Sequence, residues 1–241
     1  MIVIFTDYGK TGPYLGQVKL KLIEHAPESH VITLMADAPT HNPKASAYLL
    51  LAFTTDLPEG TIIFSVIDPG VGSDDHKPVI INANGKWYVG PDNGLFDMVC
   101  RSATNPISWE ISWQPENLSN TFHGRDLYAP VCAMLDKGEP PQGNVFQWTD
   151  YHQWPDDLLE VIYIDHFGNI MTGIQANNIN KENLLEIGGH EFTHATTFSD
   201  VEPGQGLWYE NSSGLVEIAI NQGSAARVLS ANISDPVIVK L

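Results

Sequence analysis

The residues able to do chemistry gather in short stretches rich in Asp, Gly and Asn. Thr6-Asp7-Tyr8-Gly9 follows an apolar run at residues 2–5. Asp68-Pro69-Gly70-Val71-Gly72 follows a run ending at Ile67, and Gly90-Pro91-Asp92-Asn93-Gly94 follows one ending at Val89. Each puts a carboxylate just past the carboxyl end of an expected strand, where open α/β sheets bind ligands. Phe122-His123-Gly124-Arg125-Asp126 adds an imidazole that can give or take a proton near neutral pH. Asp126 could cap the helix that follows, and Arg125 could pair with a carboxylate. Asp165-His166-Phe167-Gly168-Asn169 brings a carboxylate, an aromatic face and an amide together, a set that suits an adenine or a ribose diol and equally a plain hairpin. Asn211-Ser212-Ser213-Gly214 is a second polar turn with the same two readings. All these residue types are ordinary turn formers, so the weight lies in three such loops falling at strand ends. Asp7, Asp68, His123 and Asp126 could supply metal ligands, but their spacing is not diagnostic of a metal site.

The elements that must carry these loops follow from hydropathy. Residues 2–5, 30–34 and 61–67 read as strands, and 79–82 with 86–89 as a strand pair around an Asn84-Gly85 turn. Residues 13–25, a stretch opened by Pro43, 94–101 and 127–136 read as helices. Strands alternating with helices predict an α/β domain with a largely parallel sheet over residues 1–138. Residues 139–157, with several Pro and little periodicity, read as a connector. From 158 to 241 short strands separated by turns predict a smaller antiparallel β domain.

The chain has 241 residues, 43% of them hydrophobic, enough for a sizeable core. Asp and Glu number 29 against 12 Lys and Arg, a formal charge of -17 that disfavours nucleic acid and anionic membrane surfaces as partners. Cys100 and Cys132 form neither a disulfide framework nor a CxxC pair and suit a reducing cytoplasm. No targeting segment and no membrane-spanning run is apparent. P-loop, dinucleotide, nucleophile-elbow and HExxH signatures are missing.

Taken in order, TDYG, DPGVG, GPDNG, TFHGRD, DHFGN and NSSG resemble the S-adenosyl-L-methionine (SAM) hydroxide adenosyltransferases, relatives of the SAM-dependent fluorinase and chlorinase. The resemblance runs from Ile2 to about Ala226. It implies an α/β N-terminal domain, a smaller β-barrel-like C-terminal domain, and a homotrimer binding SAM between neighbouring subunits. It implies attack of water or hydroxide on the ribose 5′-carbon, giving adenosine and L-methionine with no metal or other cofactor. By the same resemblance Asp7 holds the ribose hydroxyls, and Asp68 and His123 are two members of a water-activating Asp-Arg-His set. The third position falls in Ser73-Asp74-Asp75-His76-Lys77-Pro78, where His76 or Lys77 stands in place of the arginine. Asp165 is matched to the methionine ammonium, Asn169 to the base and Phe167 to an aromatic or apolar face. Ser212 and Ser213 are matched to the methionine carboxylate, with Ser213 where the halogenases carry Arg. Asn221 and Ser224 are matched to the adenine edge. A carboxylate at Asp68 would repel a halide, which favours water as nucleophile. A SAM or adenosine sensor without turnover and a chlorinase are the alternatives.

Overall fold

The computed structural model describes residues 1–73 and 77–240, which divide into two compact units, Met1–Gln153 and Trp154–Leu241. In the first, the apolar runs become β1 (Ile2–Thr6), β2 (Val31–Met35), β3 (Ile62–Val66), β4 (Pro78–Ala83) and β5 (Lys86–Pro91). β6 (Ile107–Ile111) and β7 (Gly143–Phe146) complete a seven-stranded sheet of order β2-β1-β3-β5-β4-β6-β7. The pairs β2-β1, β1-β3 and β3-β5 are parallel, and the flank from β5 to β7 is antiparallel. β7 lies in the stretch read as a connector. Its four residues, none of them buried, carry no hydropathy signal, and only its ladder with β6 makes it a strand.

β1 and β3 are buried at every residue, as parallel strands covered on both faces must be. The helices are α1 (Tyr14–His25), α2 (Pro43–Thr54), α3 (Asp97–Ser102) and α4 (Ala129–Asp136). α1 packs on α4, and α2 on α3. Ile2 and Ile4 share a core with Val18, Leu22, Val131 and Cys132. Alternation turns Val3 and Phe5 to the opposite face. α2 starts where Asn42 Oδ1 accepts the Ala45 N–H at 3.0 Å with Pro43 in the first turn. The β4–β5 turn has positive φ at both Asn84 (49°) and Gly85 (73°), the hand that suits a two-residue hairpin.

The chain leaves β1 toward β2 on one side and leaves β3 toward β4 and β5 on the other. That reversal opens a crevice at the carboxyl ends of β1 and β3. Thr6 pairs with Val66 at these ends, so Asp7 and Asp68 begin adjacent loops.

The second unit contains β8 (Leu158–Ile164), β9 (Ile170–Gln175), β10 (Leu184–Ile187), β11 (His190–Phe192), β12 (Gly206–Glu210), β13 (Leu215–Ile220), the short helix α5 (Ala225–Leu229) and β14 (Ile238–Lys240). They form antiparallel sheets of order β12-β13-β9-β8 and β11-β10-β14. Bridges join the sheets at both edges, His194 to Trp208 and Glu160 to Pro236. Residues from both sheets, Val161, Ile170, Leu185, Phe192, Trp208 and Val237 among them, fill one core. The arrangement is barrel-like, and it leaves few free edges. Among the described residues no helix is long and apolar enough to cross a membrane.

Candidate active site

The crevice of the first unit is a cleft of about 550 Å³ lined by Asp7, Tyr8, His41, Asp68, Val71, Phe122, His123, Gly124 and Arg125, among others. Asp7 Oδ2 accepts the His41 backbone N–H at 3.0 Å. His41 takes a left-handed φ of 55°, uncommon for a side-chain-bearing residue, and this bond helps hold it there. Burial raises the Asp7 pKa, against the lowering by the His41 N–H, and the nearby Asp68 charge raises it further. Asp68 Oδ1 accepts the Gly70 N–H at 3.2 Å, an Asx turn that shapes the loop. Asn93, buried, donates from Nδ2 to the Ile67 carbonyl at 2.8 Å, fixing the strand end from which Asp68 departs.

Two glycines are fixed by close approach. A Cβ on Gly72 would lie 2.3 Å from the Asn120 carbonyl oxygen, so the loop after β3 rests directly on the segment leading to His123. A Cβ on Gly124 would lie 2.0 Å from the Tyr8 hydroxyl oxygen. Tyr8 is also edge-on to Phe64 and Phe122, with centroids 6.4 and 5.7 Å away. Burial raises the pKa of both Tyr8 and Tyr128, and the Asp68 charge adds to each, so both phenols stay protonated.

His123 precedes a π-helical turn, Gly124–Tyr128, that runs into α4. Asp126 does not cap it. Arg125 Nε and Nη2 donate to Asp126 Oδ1 and Oδ2 at 2.6 and 2.8 Å, and Asp126 Oδ2 also accepts the Ser119 N–H at 3.1 Å. This two-point guanidinium contact lowers the Asp126 pKa. Arg125 also reaches Gln17 Oε1 at 3.2 Å and stacks over Phe122, 5.2 Å from the ring centroid.

The second unit has its own cavity, about 900 Å³, lined by Asp165, Phe167, Asn169, Met171, Tyr209, Ser212, Glu217, Asn221, Ser224 and Arg227, among others. Its floor is a cross-strand row: Tyr209 opposes Glu217, and Glu217 opposes Met171. Two turns built alike close neighbouring hairpins. In the β8–β9 turn Asp165 Oδ1 accepts the Phe167 and Asn169 N–H groups at 2.9 and 2.8 Å. In the β12–β13 turn Asn211 Oδ1 accepts the Ser213 and Leu215 N–H groups at 2.9 and 3.1 Å. Each has a glycine of positive φ at its fourth residue, Gly168 (86°) and Gly214 (77°). Phe167 is 73% exposed, a ring presented rather than packed.

The family model described as SAM hydroxide adenosyltransferase N-terminal domain matches residues 2–144, and the corresponding C-terminal domain model matches residues 159–238. The chain belongs to this family. A relative from Thermus thermophilus, named (R)-S-adenosyl-L-methionine hydrolase, is 34% identical, with 98% of each chain covered. Another with that name, from Salinispora arenicola, is 31% identical over 95% of this chain and 94% of its own. A crystal structure of a conserved protein from Thermotoga maritima matches with a TM-score of 0.90 at 29% identity, covering 99% of this chain and all of that one (100%).

Measured against the positions that the SAM hydroxide adenosyltransferase resemblance marks, the structure brings Asp7, Asp68 and His123 to one cleft. His76 lies outside the described residues. Lys77 does not line the cleft: its exposed ammonium donates to Glu110 Oε2 at 2.7 Å across the antiparallel flank, and this bond raises its pKa. Asp165, Phe167, Asn169, Ser212, Asn221 and Ser224 share the second cavity, whereas Ser213 does not line it. The Ser213 N–H donates to Asn211 Oδ1 within the turn. Asn221 donates from Nδ2 to the Val201 carbonyl at 2.7 Å, and Ser224 caps α5 by accepting the Arg227 N–H at 3.3 Å.

Glu217 escaped the sequence reading. It is buried on the cavity floor, where it accepts hydrogen bonds from the Tyr209 hydroxyl and from Asn211 Nδ2, the latter at 2.9 Å. A lone carboxylate within the apolar run of β13 was the signal that could have found it. Among the described residues no group of three or more His, Cys, Asp or Glu is placed to hold a metal ion.

Proposed function

We propose that the protein hydrolyses S-adenosyl-L-methionine to adenosine and L-methionine. The observation that carries this reading is the convergence of Asp7, Asp68 and His123, from three separate loops, on one cleft in a chain of this family. Water attacks the ribose 5′-carbon. A C–O bond forms, the C–S bond breaks, and its electron pair neutralises the sulfonium to give the thioether of methionine. The water proton passes to Asp68 or His123 and on to solvent. Asp7 takes the ribose hydroxyls and so aims the 5′-carbon. The ring of Tyr8 lines the cleft beside Asp7 and Asp68, and its buried phenol stays protonated. The sulfonium is already an activated leaving group, so the chemistry calls for no metal or redox cofactor.

In the same reading Asp165 meets the methionine ammonium, Asn169, Asn221 and Ser224 the adenine, Phe167 an apolar face, and Ser212 the carboxylate. The working enzyme is a cytoplasmic homotrimer in which the cleft of one copy and the second cavity of a neighbour take one substrate. Two buried free cysteines suit that compartment.

The test is incubation with SAM in ¹⁸O-labelled water. Adenosine labelled at the 5′ oxygen, together with methionine, is the expected result. Adenosine binding without SAM consumption, or chloride-dependent 5′-chloro-5′-deoxyadenosine, would overturn the reading. Sedimentation gives the trimer its own check, and a monomer that turns over at full rate would exclude a shared site.

A further inference from the structure

The three arginines of this acidic chain have different fates. Arg101 donates to Asp150 at 2.5 Å, and Arg125 is clamped by Asp126. The Arg227 guanidinium has no ion pair or hydrogen bond among the described residues, in a protein with 29 Asp and Glu to choose from. It lies at the cavity of the second unit, whose charged lining is otherwise Asp165 and Glu217. Its backbone is held in place. The Arg227 N–H bonds to Ser224, and the preceding residue is tied to the Asp165 turn, where the Ala226 N–H donates to the Gly168 carbonyl at 2.9 Å. A Cβ on Gly168 would sit 2.0 Å from the Ser224 hydroxyl oxygen, so α5 and that turn form one frame.

We propose that Arg227 determines substrate specificity by binding the α-carboxylate of the methionine moiety. The inference rests on the SAM reading above. Two carboxylates and one guanidinium on the cavity wall are the mirror of an ammonium, a sulfonium and a carboxylate on the ligand. An α-amino acid carries its two charges on one carbon, and a frame that holds an anion and a cation together fits that pattern. A guanidinium presents a planar pair of N–H groups matched to a carboxylate, and such charge-assisted pairs are among the strong hydrogen bonds. Arg227 also supplies the positive charge that Ser213 cannot.

The experiment compares SAM with its decarboxylated analogue, which lacks only the α-carboxylate, in wild type, Arg227→Ala and Arg227→Lys. Loss of a hydrogen-bonded charge pair corresponds to about 10- to 100-fold in binding. Arg227→Ala is expected to raise KM for SAM by about that factor, with kcat changed less than about threefold and KM for the analogue nearly constant. Arg227→Lys should recover part of the preference. Equal effects on both substrates, or none on either, overturn the assignment. If wild type turns over neither compound, the hydrolase reading fails, and calorimetric Kd values for the two ligands still decide the role of Arg227. Wild type that binds neither overturns both.

Discussion

In the first unit the carboxylates of interest project from loops at the ends of parallel strands, into a cleft whose lining includes the rings of Tyr8, Tyr14 and Phe122. In the second unit the carboxylates belong to the architecture. Asp165 accepts two backbone N–H groups of its own turn and the Asn169 amide, and Glu217 accepts Tyr209 and Asn211. A group committed in this way is suited to holding shape and charge. Asp7, Asp68 and His123 come instead from three separate loops onto one open cleft, the arrangement that a reacting centre needs. The contrast assigns bond making to the first cavity and recognition to the second.

The sharpest way to break that division is Asp68→Asn, expected to lower kcat by about 10³-fold or more with KM changed only a few-fold. His123→Ala should lower kcat by about 10²-fold. If either acts mainly on KM, the division fails. Glu217→Ala is its counterpart: KM for SAM should rise about tenfold as the Asn211 turn loosens, with kcat within about threefold. Steady-state kinetics on the purified variants reads both.

The glycines test the frames instead of the groups. Gly124→Ala drives a methyl into the Tyr8 hydroxyl, and Gly168→Ala drives one into Ser224 at a φ that disfavours any side chain. Each should cost about 1–3 kcal/mol in denaturant titration. The survivors should differ: Gly124→Ala loses kcat, and Gly168→Ala gains KM.

A control lies outside both cavities. Asp97 is buried, and burial lifts its pKa to about 6 although its bond to His152, at 2.7 Å, opposes the shift. The native state therefore holds a proton that the unfolded chain has lost. The stability from Asp97 is fully present below pH ~4 and is lost as pH rises through about 6. Asp97→Asn should flatten the melting temperature over that window without touching the kcat or KM contrasts. The smallest effect is expected from Lys77→Ala. An exposed pair with Glu110 adds little to stability, and kcat should change less than about twofold. A tenfold loss would return Lys77 to the catalytic set.

Much of this was legible in the sequence, for a physical reason. Loops that must hold a carboxylate at a strand end need Asx turns and glycines, and those residues show in DPGVG, DHFGN and NSSG. The β4–β5 turn and the helix start at Pro43 were legible because local chemistry alone decides them. β7 was not, since a ladder partner remote in sequence determines it, and the π-helical turn left no signal in the sequence pattern. Asp126 was misread because a residue that can cap a helix can equally take a neighbouring arginine, and only packing chooses. Glu217 was hidden by its apolar neighbours, and the fate of Lys77 depended on Glu110, 33 residues away.

The contact between Gly72 and the Asn120 carbonyl has one more consequence. With no room between them, any side chain at position 72 would push the ribbon bearing Asp68 off the ribbon that leads to His123, so the carboxylate and the imidazole share one point of failure.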